Sequence, residues 1–98
     1  SHKLLPANGV YFVTSEIDGK TYYGMANIGL RPTFTNDVIP TLEVHYLFMD
    51  MNLYDRVISV DFLKYIRGER KFDSVDLFLS QVVEDRNICL ELIDRLSK

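Results

Sequence analysis

The dipeptide Asp18-Gly19 is the feature that most restricts how this chain folds. It separates residues 9–15 from residues 20–30, and both runs are rich in β-branched and aromatic side chains. An Asp-Gly pair favours the left-handed backbone of a two-residue turn, whose twist matches that of antiparallel strands. Runs of this composition on both sides of such a turn are typical of strands. The sequence therefore predicts an antiparallel hairpin near the start of the chain.

Two further strands are predicted in the middle of the chain. Hydrophobic and polar side chains alternate along residues 41–48 and again along residues 56–63, and a period of two is the signature of a half-buried strand. Residues 31–40 contain two prolines and residues 64–71 are highly charged around a glycine. We predict that both of these segments are loops.

A long helix is predicted at the end of the chain. Asp73 and Ser74 are both suitable N-cap residues, and apolar side chains within residues 75–96 recur at spacings of three, four or seven. They form one apolar stripe, which Arg86 interrupts in mid-helix. Strands followed by one amphipathic helix predict a mainly β fold: a small antiparallel β-barrel or strongly curled sheet with the C-terminal helix packed on it.

Composition excludes several classes of protein. The 98 residues fit one domain, and a formal charge of −3 lacks the basic excess that is usual for nucleic-acid binding. No apolar run approaches the roughly 18 residues of a membrane span. The single cysteine, Cys89, rules out an internal disulfide and a cysteine metal cage. A cytosolic origin fits this cysteine usage.

The segment at residues 24–34, G-M-A-N-I-G-L-R-P-T-F, ends a predicted strand in an unusual way. Gly24 and Gly29 permit a bend or a close approach of another group. Shortly afterwards Glu43 stands among hydrophobic residues of the next strand. It is either a carboxylate on the solvated face of a sheet or a general base. His45 shares its face and is an orienting residue, a metal ligand or a sheet histidine with satisfied hydrogen bonds; because no second ligand stands at metal spacing, we predict no metal site.

The charged run at residues 66–72 has three cations and one acid around Gly68. It is either a solvated loop or a mobile flap over a ligand. Phe72, just before the helix, is either an aromatic wall for a planar ligand or a hydrophobic staple for the helix. No Walker phosphate-binding motif and no serine triad is supported by the sequence.

Taken together, these residues resemble the riboflavin kinase domain at the C-terminus of bacterial bifunctional riboflavin kinase/FAD synthetases. Five blocks occur in the order and spacing of that family and cover nearly the whole chain. They are L-P-A-N-G-V-Y at 5–11, G-x-A-N-I-G-x-R-P-T-F at 24–34, L-E-V-H at 42–45, L-Y-D-R at 53–56 and I-R-x-E-x-K-F-D-S at 66–74.

This resemblance implies a six-stranded Greek-key barrel with a C-terminal helix, and the transfer of the ATP γ-phosphate to the 5′-hydroxyl of riboflavin. ATP with Mg²⁺ is the implied co-substrate, FMN the product and the cytoplasm the location. The resemblance makes Glu43 the proposed catalytic base. It implies that the segment matching the family's flavin-closing loop supplies Arg67, Glu69 and Phe72 to the flavin. It also places four residues near the ligands: Asn27, Gly29, Arg31 and Thr33.

One departure from the family pattern affects activity. The family's Pro-Thr-Ala-Asn motif, which holds the metal and the phosphates, precedes the first matching block, and this chain begins just downstream of it. We therefore expect residues 1–98 to be a kinase domain truncated at its N-terminal edge, with little or no kinase activity alone and an upstream FAD synthetase domain in its parent. A barrel edge exposed in this way favours a homo-oligomer. The alternative is a flavin- or nucleotide-binding β-barrel module without catalysis, in which Glu43 is a surface acid.

Overall fold

The computed structural model describes residues 6–98 and contains four strands and one helix: β1 (Gly9–Ile17), β2 (Lys20–Pro32), β3 (Val38–Tyr46), β4 (Asp61–Arg67) and α1 (Val75–Leu96). The strands form one antiparallel sheet in the order β3-β2-β1-β4. Three hairpin-connected strands and a fourth that returns beside the first make a Greek key. The predicted mainly β class with a C-terminal helix is confirmed. Residues 1–5, which include Leu5 of the first matching block, lie outside the residues that the structure describes.

The hairpin predicted from Asp18-Gly19 is confirmed. Both residues have left-handed backbones, with φ of 53° at Asp18 and 81° at Gly19, as a type I′ turn requires. Pairing then runs without a shift from Ile17 opposite Lys20 to Gly9 opposite Ile28. The turn thus sets which residues of β1 and β2 share a face.

The predicted loop at residues 31–40 is wrong at both ends. β2 continues to Pro32, which pairs with Val38 at the start of β3, so only residues 33–37 form the turn. Pro40 lies within β3, which is an outer strand of the described sheet. An outer strand tolerates proline because one of its edges needs no ladder hydrogen bonds.

The strand predicted at residues 56–63 is confirmed only at residues 61–63, and the loop predicted at residues 64–71 is confirmed only at residues 68–71. The strand is β4, at Asp61–Arg67, and most of the segment before it is irregular. β4 forms by long-range pairing with β1, in which Tyr11 lies opposite Tyr65. Its charged residues are compatible with the outer position of this strand, one edge of which has no partner strand within the described sheet.

The connection between β3 and β4 is tied to the first hairpin by an ion pair. Both terminal nitrogens of Arg56 donate to the Asp18 carboxylate, at 3.1 and 2.7 Å. The Arg56 guanidinium holds the pKa of Asp18 below its usual range, through this hydrogen bond and its charge. The arginine of the L-Y-D-R block thus has a structural role in fixing the connection.

The two faces of the sheet carry separate cores. One core contains Tyr11, Val13, Ala26 and Ile28. The other contains Phe12, Leu47 and Cys89, with Met25 and residues of α1 packed against it. We call the sheet surface that carries Phe12 and Met25 the helix face. The predicted packing of the helix on the sheet is confirmed.

Helix α1 begins at the predicted cap and has one buried acid. The Ser74 hydroxyl accepts a hydrogen bond from the Leu77 N–H at 3.1 Å, so Ser74 rather than Asp73 is the N-cap. The polar residue that enters the apolar stripe is Asp85, which is buried together with Cys89. Arg86 is instead exposed, and it was wrongly predicted to interrupt the stripe. No helix within residues 6–98 is long and apolar enough to cross a membrane.

The glycine at position 24 makes room for a neighbouring strand. A Cβ there would lie 2.5 Å from the carbonyl oxygen of His45 and 3.1 Å from the Cα of Tyr46. Both atoms belong to β3, so Gly24 allows close pairing of β2 with β3. The close approach that was predicted for Gly24 is thus that of a neighbouring strand.

Replacing Gly24 with alanine is expected to lower the free energy of unfolding by about 1–3 kcal/mol, because overpacking forces the strands apart. Urea titration followed by circular dichroism measures the change. The matched control is Thr21→Ala, an exposed position on the same strand, which should change stability by no more than about 0.5 kcal/mol. Equal effects of the two changes would contradict this explanation of Gly24.

The buried thiol of Cys89 predicts a loss of stability at alkaline pH. Burial, with a smaller contribution from the Asp85 carboxylate, raises the pKa of Cys89 from 9.0 to about 11. The unfolded chain then loses this proton at lower pH than the folded chain, so stability present below pH 9 falls between about pH 9 and 11. Cys89→Ala should show a shallower decline over that interval, measured as unfolding free energy against pH. Identical slopes in the two proteins over that interval would contradict the assignment to Cys89.

Candidate functional site

A row of side chains crosses all four strands on the helix face. Val10 of β1 lies opposite Arg67 of β4 on one side and opposite Asn27 of β2 on the other. Asn27 in turn lies opposite Glu43 of β3. Cross-strand partners project to the same face of a sheet. Pairing therefore assembles a cation, an amide and a carboxylate from distant parts of the sequence.

A groove of about 330 Å³ lies between this row and the N-terminal half of α1. Its volume is at the lower end of the roughly 300–1,000 Å³ range of small-molecule sites. Apolar side chains form most of the lining, with a few polar groups at the row. The lining residues are Val10, Met25, Ala26, Asn27, Glu43, Val44, His45, Arg67, Phe78, Val82 and Asp85.

A smaller space of about 130 Å³ shares part of this lining and extends it towards the segment after β4. It adds Glu69, Arg70 and Phe72 to residues already in the groove. Five of the residues named from the sequence therefore line the groove or its extension. They are Asn27, Glu43, Arg67, Glu69 and Phe72.

The three other predicted ligand-adjacent residues have different surroundings. The Glu69 carboxylate lies against the backbone of Gly29, in space that a Cβ would occupy. Arg31 donates to the Glu43 carboxylate at 2.8 Å. Thr33 instead bonds within its own turn, to the carbonyl oxygen of Asp37 at 3.2 Å. The structure thus places Gly29 and Arg31 beside lining residues, whereas Thr33 does not line the groove.

Glu43 is an accessible carboxylate with one cationic partner. Its side chain is 63% exposed and that of Arg31 is 61% exposed, so the pair is open to water and adds little to stability. The face of Glu43 is partly covered by α1, so it is not a wholly solvated sheet face. An ionised carboxylate with free lone pairs beside an apolar groove can accept a proton from a bound hydroxyl.

The residue that sequence reasoning missed is Asp85. It accepts from the Arg67 Nε at 3.0 and 3.1 Å and from the Arg67 Nη2 at 2.8 Å, as a two-pronged ion pair. The Gln81 amide donates to it at 2.9 Å. The sequence did contain a sign that Asp85 lies on the apolar stripe of the helix, because it follows Val82 by three positions and precedes Cys89 by four. An acid on an apolar stripe is costly to bury unless a partner faces it.

An aromatic corner closes one end of the groove. The rings of Phe72 and Phe78 meet edge to face, with centroids 5.6 Å apart. The guanidinium carbons of Arg67 and Arg70 lie 5.9 and 5.0 Å from the Phe72 centroid. Phe72 thus makes a staple-like contact with the first turns of α1, and it also lines the extension of the groove. The two alternatives predicted for this residue are compatible.

The described residues do not fit a metal site. Across residues 6–98, no group of three or more His, Cys, Asp or Glu side chains converges to hold an ion. Glu43 and Glu69, the two glutamates of the groove, contact Arg31 and the Gly29 backbone respectively. We therefore derive no chemical step through a metal held by these residues.

Fold and groove together define a small Greek-key β domain with a helix-walled groove whose volume is in the range of small-molecule sites. Comparison with known proteins identifies the family. The family model described as "Flavokinase: Riboflavin kinase" matches residues 1–93. This chain belongs to the riboflavin kinase family.

Individual relatives agree with this assignment. A bifunctional riboflavin kinase/FMN adenylyltransferase from Bacillus subtilis (strain 168) is 32% identical over 97% of this chain and 31% of its own length. The protein of the same name from Escherichia coli (strain K12) is 43% identical over 85% of this chain and 26% of its length. This chain spans about a quarter to a third of the curated relatives it matches.

A solved structure has the same fold. The structure of a macrolide-efflux protein from Streptococcus pneumoniae superposes with a TM-score of 0.78 and 34% identity. The match covers 88% of this chain and 28% of that one. The similarity supports the riboflavin kinase-like architecture of strands and terminal helix described above.

Proposed function

We propose that this chain is the kinase domain of a cytoplasmic riboflavin kinase, which transfers the γ-phosphoryl group of ATP to the 5′-hydroxyl of riboflavin and forms FMN. ATP enters as its Mg²⁺ complex. The single observation that carries the proposal is the convergence of Asn27, Glu43, Arg67, Glu69 and Phe72 on one groove. These residues come from three of the five matching blocks of the family pattern. In a parent of the relatives' length, an adjoining domain would make FAD from FMN.

The groove suits a flavin in its chemistry. The isoalloxazine ring is planar and largely apolar, and the walls offer Val10, Met25, Val82 and Phe78 to it. Phe72, held under two guanidinium groups, presents an aromatic edge at the end of the groove. A few polar groups among apolar walls are the usual composition of a site that fixes a ligand's orientation.

Glu43 is the proposed general base for the transfer. Its carboxylate takes the proton of the riboflavin 5′-hydroxyl while the oxygen forms a bond to the γ-phosphorus. The bond from that phosphorus to the bridging oxygen breaks, and ADP leaves with the electron pair. The Arg31 contact at 2.8 Å orients the carboxylate, and because this pair is open to water the carboxylate can exchange it for the substrate hydroxyl. Positioning of this kind carries most of the catalysis in phosphoryl transfer.

The remaining proposed contacts follow from their places around the groove. We propose that Arg67, Glu69 and Phe72 contact the flavin from the segment after β4. Asn27, Gly29 and Arg31 lie along one face of β2 and would border the ligands there. Thr33 lies beyond them in the turn, so its contact with a ligand stays a prediction.

Glu43→Gln tests the catalytic role. In the longest protein that contains this chain, the rate of FMN formation should fall at least about 100-fold, because a general base contributes that much or more. Riboflavin affinity, measured by quenching of flavin fluorescence, should change little because glutamine keeps the shape of the side chain. The control is Glu16→Gln, an exposed acid of β1 outside the groove, which should leave both quantities unchanged. Unaltered turnover in Glu43→Gln would reject the role, and riboflavin binding without turnover in the parent protein would favour the non-catalytic module.

We also propose that the chain self-associates through an outer strand. β3 and β4 are the outer strands of the described sheet, and Leu63 and Tyr65 of β4 are 47% and 53% exposed. An outer strand with exposed apolar side chains is a template for pairing with another copy.

Light scattering across a concentration series tests this association. The mass should rise above that of one chain, and Leu63→Lys should return it to the monomer because an edge lysine opposes pairing. Val57→Lys is the control, since Val57 is fully exposed but lies outside the strands. A monomeric mass for the unaltered chain at the highest concentration would contradict the proposal.

A further inference from the structure

We propose that Asp85, assisted by Gln81, is a positioning residue of the flavin site, which holds Arg67 and the segment at residues 67–72 against the groove. The inference rests on the proposed function, because it assigns to helix α1 the task of shaping the flavin-binding wall. We call the contacts of Gln81 and Asp85 with Arg67 and Arg70 the helix latch.

The first part of the latch fixes the Arg67 guanidinium completely. Its Nε and Nη2 donate to the Asp85 carboxylate at 2.8 to 3.1 Å. Its Nη1 donates to the carbonyl oxygen of Gly68 at 3.0 Å. All three guanidinium nitrogens thus have protein acceptors. Arg67 therefore lines the site in a fixed orientation. Because its donors already have acceptors, it is poorly placed to bind a phosphate group.

The second part of the latch holds the next turn of the same segment. The Arg70 guanidinium contacts the Gln81 side-chain oxygen, while the Gln81 amide donates to Asp85 at 2.9 Å. The Phe72 ring lies near both guanidinium groups. One turn of α1 therefore fixes two arginines, which in turn fix the aromatic ring that lines the extension of the groove.

The burial of Asp85 indicates that this arrangement serves more than stability. The residue is 3% exposed and lies on the apolar stripe of the helix. Buried ion pairs commonly stabilise a protein no better than apolar residues of similar size. A leucine at this position would pack on the sheet but would leave Arg67 without a partner. A carboxylate at position 85 is explained if its function is to orient the Arg67 side chain.

Asp85→Asn is the direct test, because asparagine keeps the shape but loses the charge and one acceptor oxygen. Hydrogen exchange of the amides at residues 68–72 should speed up by about tenfold or more, as loss of a charged hydrogen bond costs about 1.4 kcal/mol or more. Riboflavin binding to the same protein, followed by fluorescence quenching, should weaken by about tenfold, while MgATP binding changes less than about twofold. The control is Glu84→Gln, which neutralises an exposed acid on the same turn of α1. It should change neither the exchange rates nor the binding of riboflavin or MgATP.

A second variant separates positioning from general stability. In the double change Arg67→Met with Asp85→Leu, both partners become apolar, which is often neutral for stability. We expect thermal stability to return to that of the unaltered chain while riboflavin binding stays weak. Recovery of riboflavin binding together with stability would overturn the inference, because Asp85 would then be only a structural residue. Unchanged exchange at residues 68–72 in Asp85→Asn would overturn it as well.

The exchange measurement distinguishes this inference from the proposed function. An unaltered chain that binds no riboflavin would count against the flavin kinase proposal and against the role of the latch in flavin binding. Faster exchange at residues 68–72 in Asp85→Asn would still support the latch as the device that orders this segment.

Discussion

The double pairing of β1 is the constraint on which the rest of this structure depends. β1 pairs with β2 on one edge and with β4 on the other, and its side chains contribute to the cores on both faces. A slip of one residue would exchange the two faces of the strand. Val10 would then leave the helix face, and the row that joins Arg67, Asn27 and Glu43 would be broken. The register that builds the core is thus the register that assembles the site.

The groove lies between the sheet and the N-terminal half of the helix. Near Cys89 the two layers pack around Phe12 and Leu47. Towards the start of α1, the groove lies between Phe78 and the row on the sheet. A well-packed layer on one side of the groove gives the polar side chains a rigid support. Rigid support is what precise positioning of a substrate hydroxyl needs.

Local features of the sequence predicted the hairpin and the helix, because Asp18-Gly19 and Ser74 each act within a few residues of themselves. They predicted only residues 61–63 of β4, because residues 64–67 have the composition of a charged loop and become a strand by pairing with β1, far away in sequence. The alternation at Val60 and Phe62 was real, since both pack on the core, yet only Phe62 lies within the strand. The sequence pattern singled out Glu43 without deciding between a solvated acid and a general base, and the family resemblance made that choice and named Arg67 as a flavin contact. Asp85 was missed because its partner is 18 positions away.

The two ion pairs around the groove have opposite physical characters, and this difference bears on how the site works. The Arg31–Glu43 pair is exposed on both sides, so water competes with it and the carboxylate is easily released to a substrate hydroxyl. In the Arg67–Asp85 pair, the side chains are 19% and 4% exposed, and water competes little. Breaking such a pair leaves a buried charge without a partner. The proposed base must change its hydrogen bonds during the reaction, so a weak, exposed ion pair suits Glu43. The residues that contact the ligand must keep their positions, so a firm, buried ion pair suits Arg67.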